Sequence, residues 1–222
     1  MTQVIGEILP LAVGIAISPI PIIAAILMLL SPRAKGTSVG FMIGWLAGIV
    51  VAIVLSSLLS SVIPPATGGR TPVAGVIKII LGGLLLVLAI KQWRTRPAKG
   101  NQASLPKWMS AIDSMSAVKA LWLGFLLAAA NPKNLLLAIA AGVIVGGAGL
   151  TIGQLAVVII LFVLLAASTV LVPVFGYLIA SARLAGSLDK LRQWLVDNNA
   201  VIMAVLLLVL GVALIGKGFA DF

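Results

Sequence analysis

The stretch "LLAAANPKNLLLA", residues 126–138, sets Asn131, Pro132, Lys133 and Asn134 in the middle of an apolar run. Such a run is long enough to cross a hydrocarbon core, which takes about 20 helical residues. Proline supplies no amide and clashes with the preceding turn, so a helix is interrupted at this point. Lys133 lies about 14 residues into its span, roughly 20 Å along an α-helix, too deep to reach either surface easily. A lysine near the bilayer centre costs about 2.5–3.5 kcal/mol on insertion scales. The rest of the chain has to account for that cost.

Of 222 residues, 62% are hydrophobic and 9% charged, with mean hydropathy +1.26; soluble domains sit near 45–50% apolar and about 25% charged. The composition predicts an all-α integral membrane protein in which residues 1–222 form a single transmembrane domain. The N-terminus, "MTQVIGEILP", carries Glu7 and no basic stretch, so the first apolar segment is expected to stay rather than be cleaved. There is no cysteine and no histidine, which argues against disulfides, thiol relays and zinc or haem chemistry; no cofactor and no metal is expected. The "GGR" at 68–70 lacks the pattern of a phosphate loop. An enzyme is not expected either, because Lys133 has no base, acid pair or metal set in company with it.

Hydropathy predicts six helices, at 4–30, 37–62, 73–91, 119–146, 151–180 and 199–219. The linker 92–118, with its flanking lysines, holds the strongest basic cluster: Lys91, Arg94, Arg96, Lys99, Lys107 and Lys119. The positive-inside rule makes it cytoplasmic. "SPRAKG" (31–36) and the basic 181–198 loop then fall on the same side, and both termini are extracytoplasmic. Basic residues confined to loops on one face have the anionic inner leaflet as partner, not nucleic acid. Within the linker, Trp108, Ile112 and Met115 share a helical face, as in a short interfacial helix.

Three spans on either side of the linker give pseudo-repeats of about 1–91 and 119–222 that cross in opposite senses, a 3+3 inverted repeat. A shift of 113 residues lays Pro19 on Pro132, Ser18 on Asn131, Ser38 on Thr151 and Gly40 on Gly153. "AISPIPII" (16–23) and "AANPKNLL" (129–136) therefore break helices 1 and 4 at matching places. Paired breaks of this kind mark a substrate site near the midplane. The candidate substrate-binding residues are Ser18, Pro19, Pro21, Asn131, Pro132, Lys133 and Asn134; Arg33 and Asp113 are candidates for an inner mouth or gate.

Every acidic residue lies away from Lys133, at Glu7, Asp113, Asp189, Asp197 and Asp221. Three explanations stay open: a neutral amine, a wet cavity, or a substrate that is itself the counter-ion. The last points to an anionic or strongly polar head. Lys78 is close enough to the outer surface to snorkel, and a Glu7–Lys78 pair is geometrically allowed. Gly40, Gly44 and Gly48 have the small-xxx-small spacing of close helix packing.

"ISPIPIIAAILMLLSPRAKG", "WMSAIDSMSAVKA" and "GFLLAAANPKNLLLA" on a six-span scaffold resemble the GAP family, the glycopeptidolipid- and sulfolipid-addressing proteins of bacteria with lipid-rich envelopes, within the lysine-exporter (LysE) superfamily. The resemblance runs from about residue 12 to 180. It implies a multi-pass exporter or flippase of the bacterial plasma membrane that moves a glycolipid-type cargo, with the SPIP and NPKN residues named above as those to carry over. Access would alternate by rocking one repeat against the other. Two other functions remain: a LysE-like exporter of a small solute such as an amino acid or ion, and a non-transporting accessory subunit of larger lipid-export machinery. Expected partners are membrane lipids and the anionic or glycolipid-type substrate, with a homodimer through glycine-rich faces also allowed.

Overall fold

The structure, a computed structural model, describes residues 1–61, 72–96, 112 and 114–222. Within them the chain is helical: α1 (Thr2–Ala16), α2 (Pro19–Leu29), α3 (Ala34–Ser61), α4 (Pro72–Arg94), α5 (Ala117–Ala129), α6 (Pro132–Gly146) and α7 (Ile152–Ala220). Four stretches are long and apolar enough to cross a membrane, Ala34–Ser60, Pro72–Arg94, Ile152–Ile179 and Leu184–Ala220, and the bent pairs α1–α2 and α5–α6 raise the number to six when each pair counts as one span. The protein is a multi-pass membrane protein. Most of the central linker, including Lys107, Trp108 and Asp113, lies outside the described residues.

Both bent pairs turn at the prolines read from the sequence, by 51° between α1 and α2 and by 60° between α5 and α6. Beyond each break the chain enters the core. Nearly all of α2 and most of α6 are buried, whereas α1 and α5 bury only a stripe. The sequences explain this, since "PIPIIAAILML" has no polar side chain at all and a helix apolar all round is an interior helix.

Although α7 is hydrogen-bonded throughout, it folds back on itself. Thr169 bonds the Ala16 carbonyl, and Met203 lies against the Lys133 amine that bonds the Gly14 carbonyl. Two positions 34 residues apart meet the same end of α1, which a straight helix would hold about 50 Å apart. Beside the reversal, the side chain of Leu184 reaches the space next to Gly176. The expected loop at 181–198 is therefore corrected: from Leu184 onward it is helix. Leu184, Leu188, Leu191 and Leu195 recur at helical spacing, with Leu188 and Leu195 buried, and Arg192 pairs with Asp189 at 2.7 Å on the polar side. Hydropathy averages hide such an amphipathic turn under its charges.

Glycines fix the directions of packing. Gly40, Gly44 and Gly48 on α3 meet Ala117, Leu121 and Phe125 on α5, in rising order on both helices, so the two run parallel. Gly142 and Gly146 of α6 meet Ser56 and Ser57 farther along α3 in the same sense, and Ser60 Oγ donates to the Val143 carbonyl at 3.2 Å. By contrast Gly75 faces Gly218 and Gly82 faces Gly211, so α4 runs antiparallel to the end of α7. These glycine faces are occupied within the chain.

At the face that holds both termini, the Lys78 amine bonds the Asp221 carboxylate at 2.8 Å with the lysine side chain only 9% exposed, and Lys217 donates to the Glu7 carbonyl at 3.0 Å. The Glu7–Lys78 pairing is thus corrected: the Glu7 carboxylate accepts from Gln3 instead. Asp221→Asn removes a charged hydrogen bond from a mostly buried ammonium and is expected to cost about 1–3 kcal/mol. A Lys78→Met/Asp221→Leu double variant should recover most of that loss, because no buried charge is left alone. Thermal melts in detergent check both, and an Asp221→Asn variant as stable as the parent would show that the pair adds nothing.

Candidate functional site

The first break begins with a turn tighter than α. Ile17 N bonds the Val13 carbonyl at 2.9 Å, but Ser18 N turns back to Ile15 at 3.1 Å. Gly14 is skipped, and Pro19 brings no amide to follow. Carbonyls freed at a helix C-terminus carry its negative end and need partners. Two side chains from distant elements provide them. Lys133 Nζ donates to the Gly14 carbonyl at 2.8 Å, across 119 residues, and Thr169 Oγ1 donates to the Ala16 carbonyl at 2.6 Å.

The second break is held by its own asparagines. Asn131 caps α6, its Oδ1 accepting from Lys133 N at 3.1 Å, and Asn134 Nδ2 donates back to the Leu127 carbonyl at 2.9 Å across the bend. These bonds satisfy backbone groups that Pro132 and the 60° turn leave open. Among the described residues Asn134 Oδ1 has no hydrogen-bond partner although it is buried, and neither has Asn199 Oδ1, one turn before Met203 on α7. Unpaired buried acceptors of this kind call for an explanation.

Lys133 is 3% exposed. Among the described residues its amine meets the Gly14 carbonyl and, at 4.0 Å, the Met203 sulfur, and no ion pair reaches it. The three explanations offered by the sequence are thereby joined by a fourth: the ammonium caps the broken end of the opposite half-span. A cation at a helix C-terminus is stabilised by the aligned peptide dipoles.

The breaks lie at similar depth. The 11 residues of α2 place the first about 16 Å from the Ser31 turn, and the 13 residues of α5 place the second about 20 Å from the same face. Of the sequence candidates, Ser18, Pro19 and Pro21 are buried at the first break, and Asn131, Lys133 and Asn134 at least half-buried at the second, while Pro132 is exposed on the outside of its bend. The Lys133–Gly14 bond brings the two breaks together. Arg33 lies elsewhere, in a cavity at the Ser31 turn; Asp113 falls outside the described residues. Pro19 and Pro21 also remove two of the first amides of α2, so that helix start offers an anion fewer donors than a break without prolines. Thr169, Asn199 and Met203 were missed from sequence. The first two are polar residues within apolar spans, which was the available signal, whereas nothing distinguishes Met203 from a core methionine.

Beside Gly14 runs a groove of about 620 Å³ between α1 and the second half of α7, with Val13, Ile17, Trp194, Asn198 and Val205 among its walls. Its lining is almost wholly apolar, and Ile17, Val201 and Val205 are exposed on the bundle surface that faces the bilayer. Among the described residues no group of His, Cys, Asp or Glu is placed to hold a metal ion. The two breaks and the groove together offer one lysine amine, two side-chain amides and an apolar trough.

No curated protein and no solved structure matches the chain. The model of the family described as "Sap, sulfolipid-1-addressing protein" matches residues 8–220. The chain belongs to that family, whose members are membrane proteins linked to lipid export.

Proposed function

We propose that this protein is an exporter or flippase of the bacterial plasma membrane for a lipid with an anionic or strongly polar head, of the glycolipid type. The observation that carries the reading is the apolar groove, because its wall includes Gly14, the residue whose carbonyl holds Lys133. An acyl chain fits a trough open to the bilayer, and a small hydrophilic solute gains nothing from it. The head then reaches the broken helices, where Lys133 exchanges the Gly14 carbonyl for the anion. Asn131 and Asn134 add amide contacts, and Ser18, Pro19, Pro21 and Pro132 shape the opening. In this reading the chain is a 3+3 inverted repeat of the LysE superfamily, and the face bearing the Ser31 turn and Lys91 is cytoplasmic. Access alternates between the faces around the paired breaks.

Purified protein in vesicles, given a fluorescent short-chain anionic glycolipid and an impermeant quencher, tests the proposal. Wild-type protein should expose the label at the far face. Val205→Trp, whose indole fills the groove from its exposed side, should slow this to the rate of empty vesicles without loss of folded protein. No movement with the wild-type chain alone would favour the accessory-subunit function, and unimpeded movement in Val205→Trp would remove the groove from the path.

A further inference from the structure

At the opposite end of α2 from the break, the Ser31 turn, the start of α3 and the start of α5 enclose a second cavity, of about 780 Å³. Arg33, Lys35, Thr37, Ser116 and Tyr177 are among its lining residues, and among the described residues no carboxylate lines it. Arg33 and Lys35 are exposed, and neither side chain has an ion-pair or hydrogen-bond partner among the described residues. Unpaired cations in a concave site raise the local concentration of anions. The positive ends of α3 and α5 add to the same field, although Ala34 N and Lys119 N already donate to the Ser31 carbonyl and to Ser116 Oγ.

This cavity does not end in water alone. Lys35, Gly36 and Ala117 also line an adjoining groove of about 480 Å³ that continues along α3 and α5 past Val39, Ile43 and Leu121. The groove is apolar, Ile43 is 49% exposed and Val118 66% exposed, both on spans that face lipid. A basic bowl thus opens directly into an apolar furrow, which is the outline of an amphiphile rather than of a free ion.

We propose that the bowl and furrow form a docking site for an anionic lipid, with Arg33 and Lys35 on a phosphate or sulfate monoester head and an acyl chain along Val39, Ile43 and Leu121. The site is distinct from the breaks at Gly14 and Lys133. Under the export reading it is where cargo is collected before it moves inward, but binding there does not depend on that reading.

Calorimetric titration of the purified full-length protein in a neutral detergent tests it with three probes: dioctanoyl phosphatidic acid, dioctanoyl phosphatidylcholine and inorganic phosphate. The phosphatidic acid is expected to bind, more weakly as salt is raised, and the other two to bind at least about tenfold less well. Arg33→Gln/Lys35→Gln should weaken the phosphatidic acid by about tenfold or more, and Arg33→Lys should retain most of it. Both side chains are exposed, so an unchanged elution profile is expected for each variant. Equal binding of phosphatidylcholine, or undiminished binding by the double variant, overturns the proposal. Inorganic phosphate that binds as tightly as the lipid assigns the bowl to a free anion and overturns it equally. Because no transport is measured, failure here and failure of export are separate results.

Discussion

Lipid export is expected to stop in Lys133→Met. Methionine nearly matches the length and apolar stem of lysine, so the core around it stays filled, and what is lost is the ammonium. The Gly14 carbonyl is then left without its 2.8 Å partner in the apolar interior, at a cost of about 1–3 kcal/mol. Against the roughly 5–15 kcal/mol by which domains are stable, that lowers the melting temperature without preventing folding. Under the export proposal, the head of the lipid also loses the cation it would meet at the break. Export has to be expressed per folded molecule to separate the two effects. If Lys133 served only to cap α1, that ratio would stay at the wild-type value, and such a result would falsify its proposed part in recognition.

Gly44→Ala is expected to be the most damaging single substitution on stability. A methyl at Gly44 would enter the Leu121 carbonyl, and from the other side of the same seam a methyl at Gly124 would enter the Phe41 carbonyl. These obstacles are backbone, which cannot turn away as a side chain can, so α3 and α5 have to move apart along their length. Overpacking typically costs about 1–3 kcal/mol and occasionally more, and a contact of backbone on backbone belongs at or beyond the upper end. Size-exclusion profiles of solubilised protein should show aggregate in place of the monodisperse peak for both variants. Gly83→Ala, with nothing within 4 Å of its new methyl, provides the comparison and should elute as the parent does. Indistinguishable profiles for Gly44→Ala and Gly83→Ala would mean that the seam is looser than described.

The spans and both breaks were legible in the sequence because their causes are local. An apolar run needs no partner to be recognised, and proline interrupts a helix wherever it stands in the interior. The spacing of Gly40, Gly44 and Gly48 likewise named a packing face before α5 was known to fill it. Partners were another matter. Lys133 was identified as the unusual cation, but its bond to a main-chain carbonyl leaves no trace in residue types, since every residue has one. Depth alone allows Lys78 to pair with Glu7; Asp221, the acid that it meets, lies far away in sequence, and nothing local links the two. The helix from Leu184 to Asn198 was hidden because its leucines are diluted by Asp189, Lys190 and Arg192, which a hydropathy window sums without asking where they point.

The seam between α3 and α5 also limits how such a protein can work. It fastens the opening three spans to the closing three, carbonyl against glycine, and α4 is fastened in the same manner to the end of α7. A rigid tilt of one block against the other would have to break both lines of contact at once.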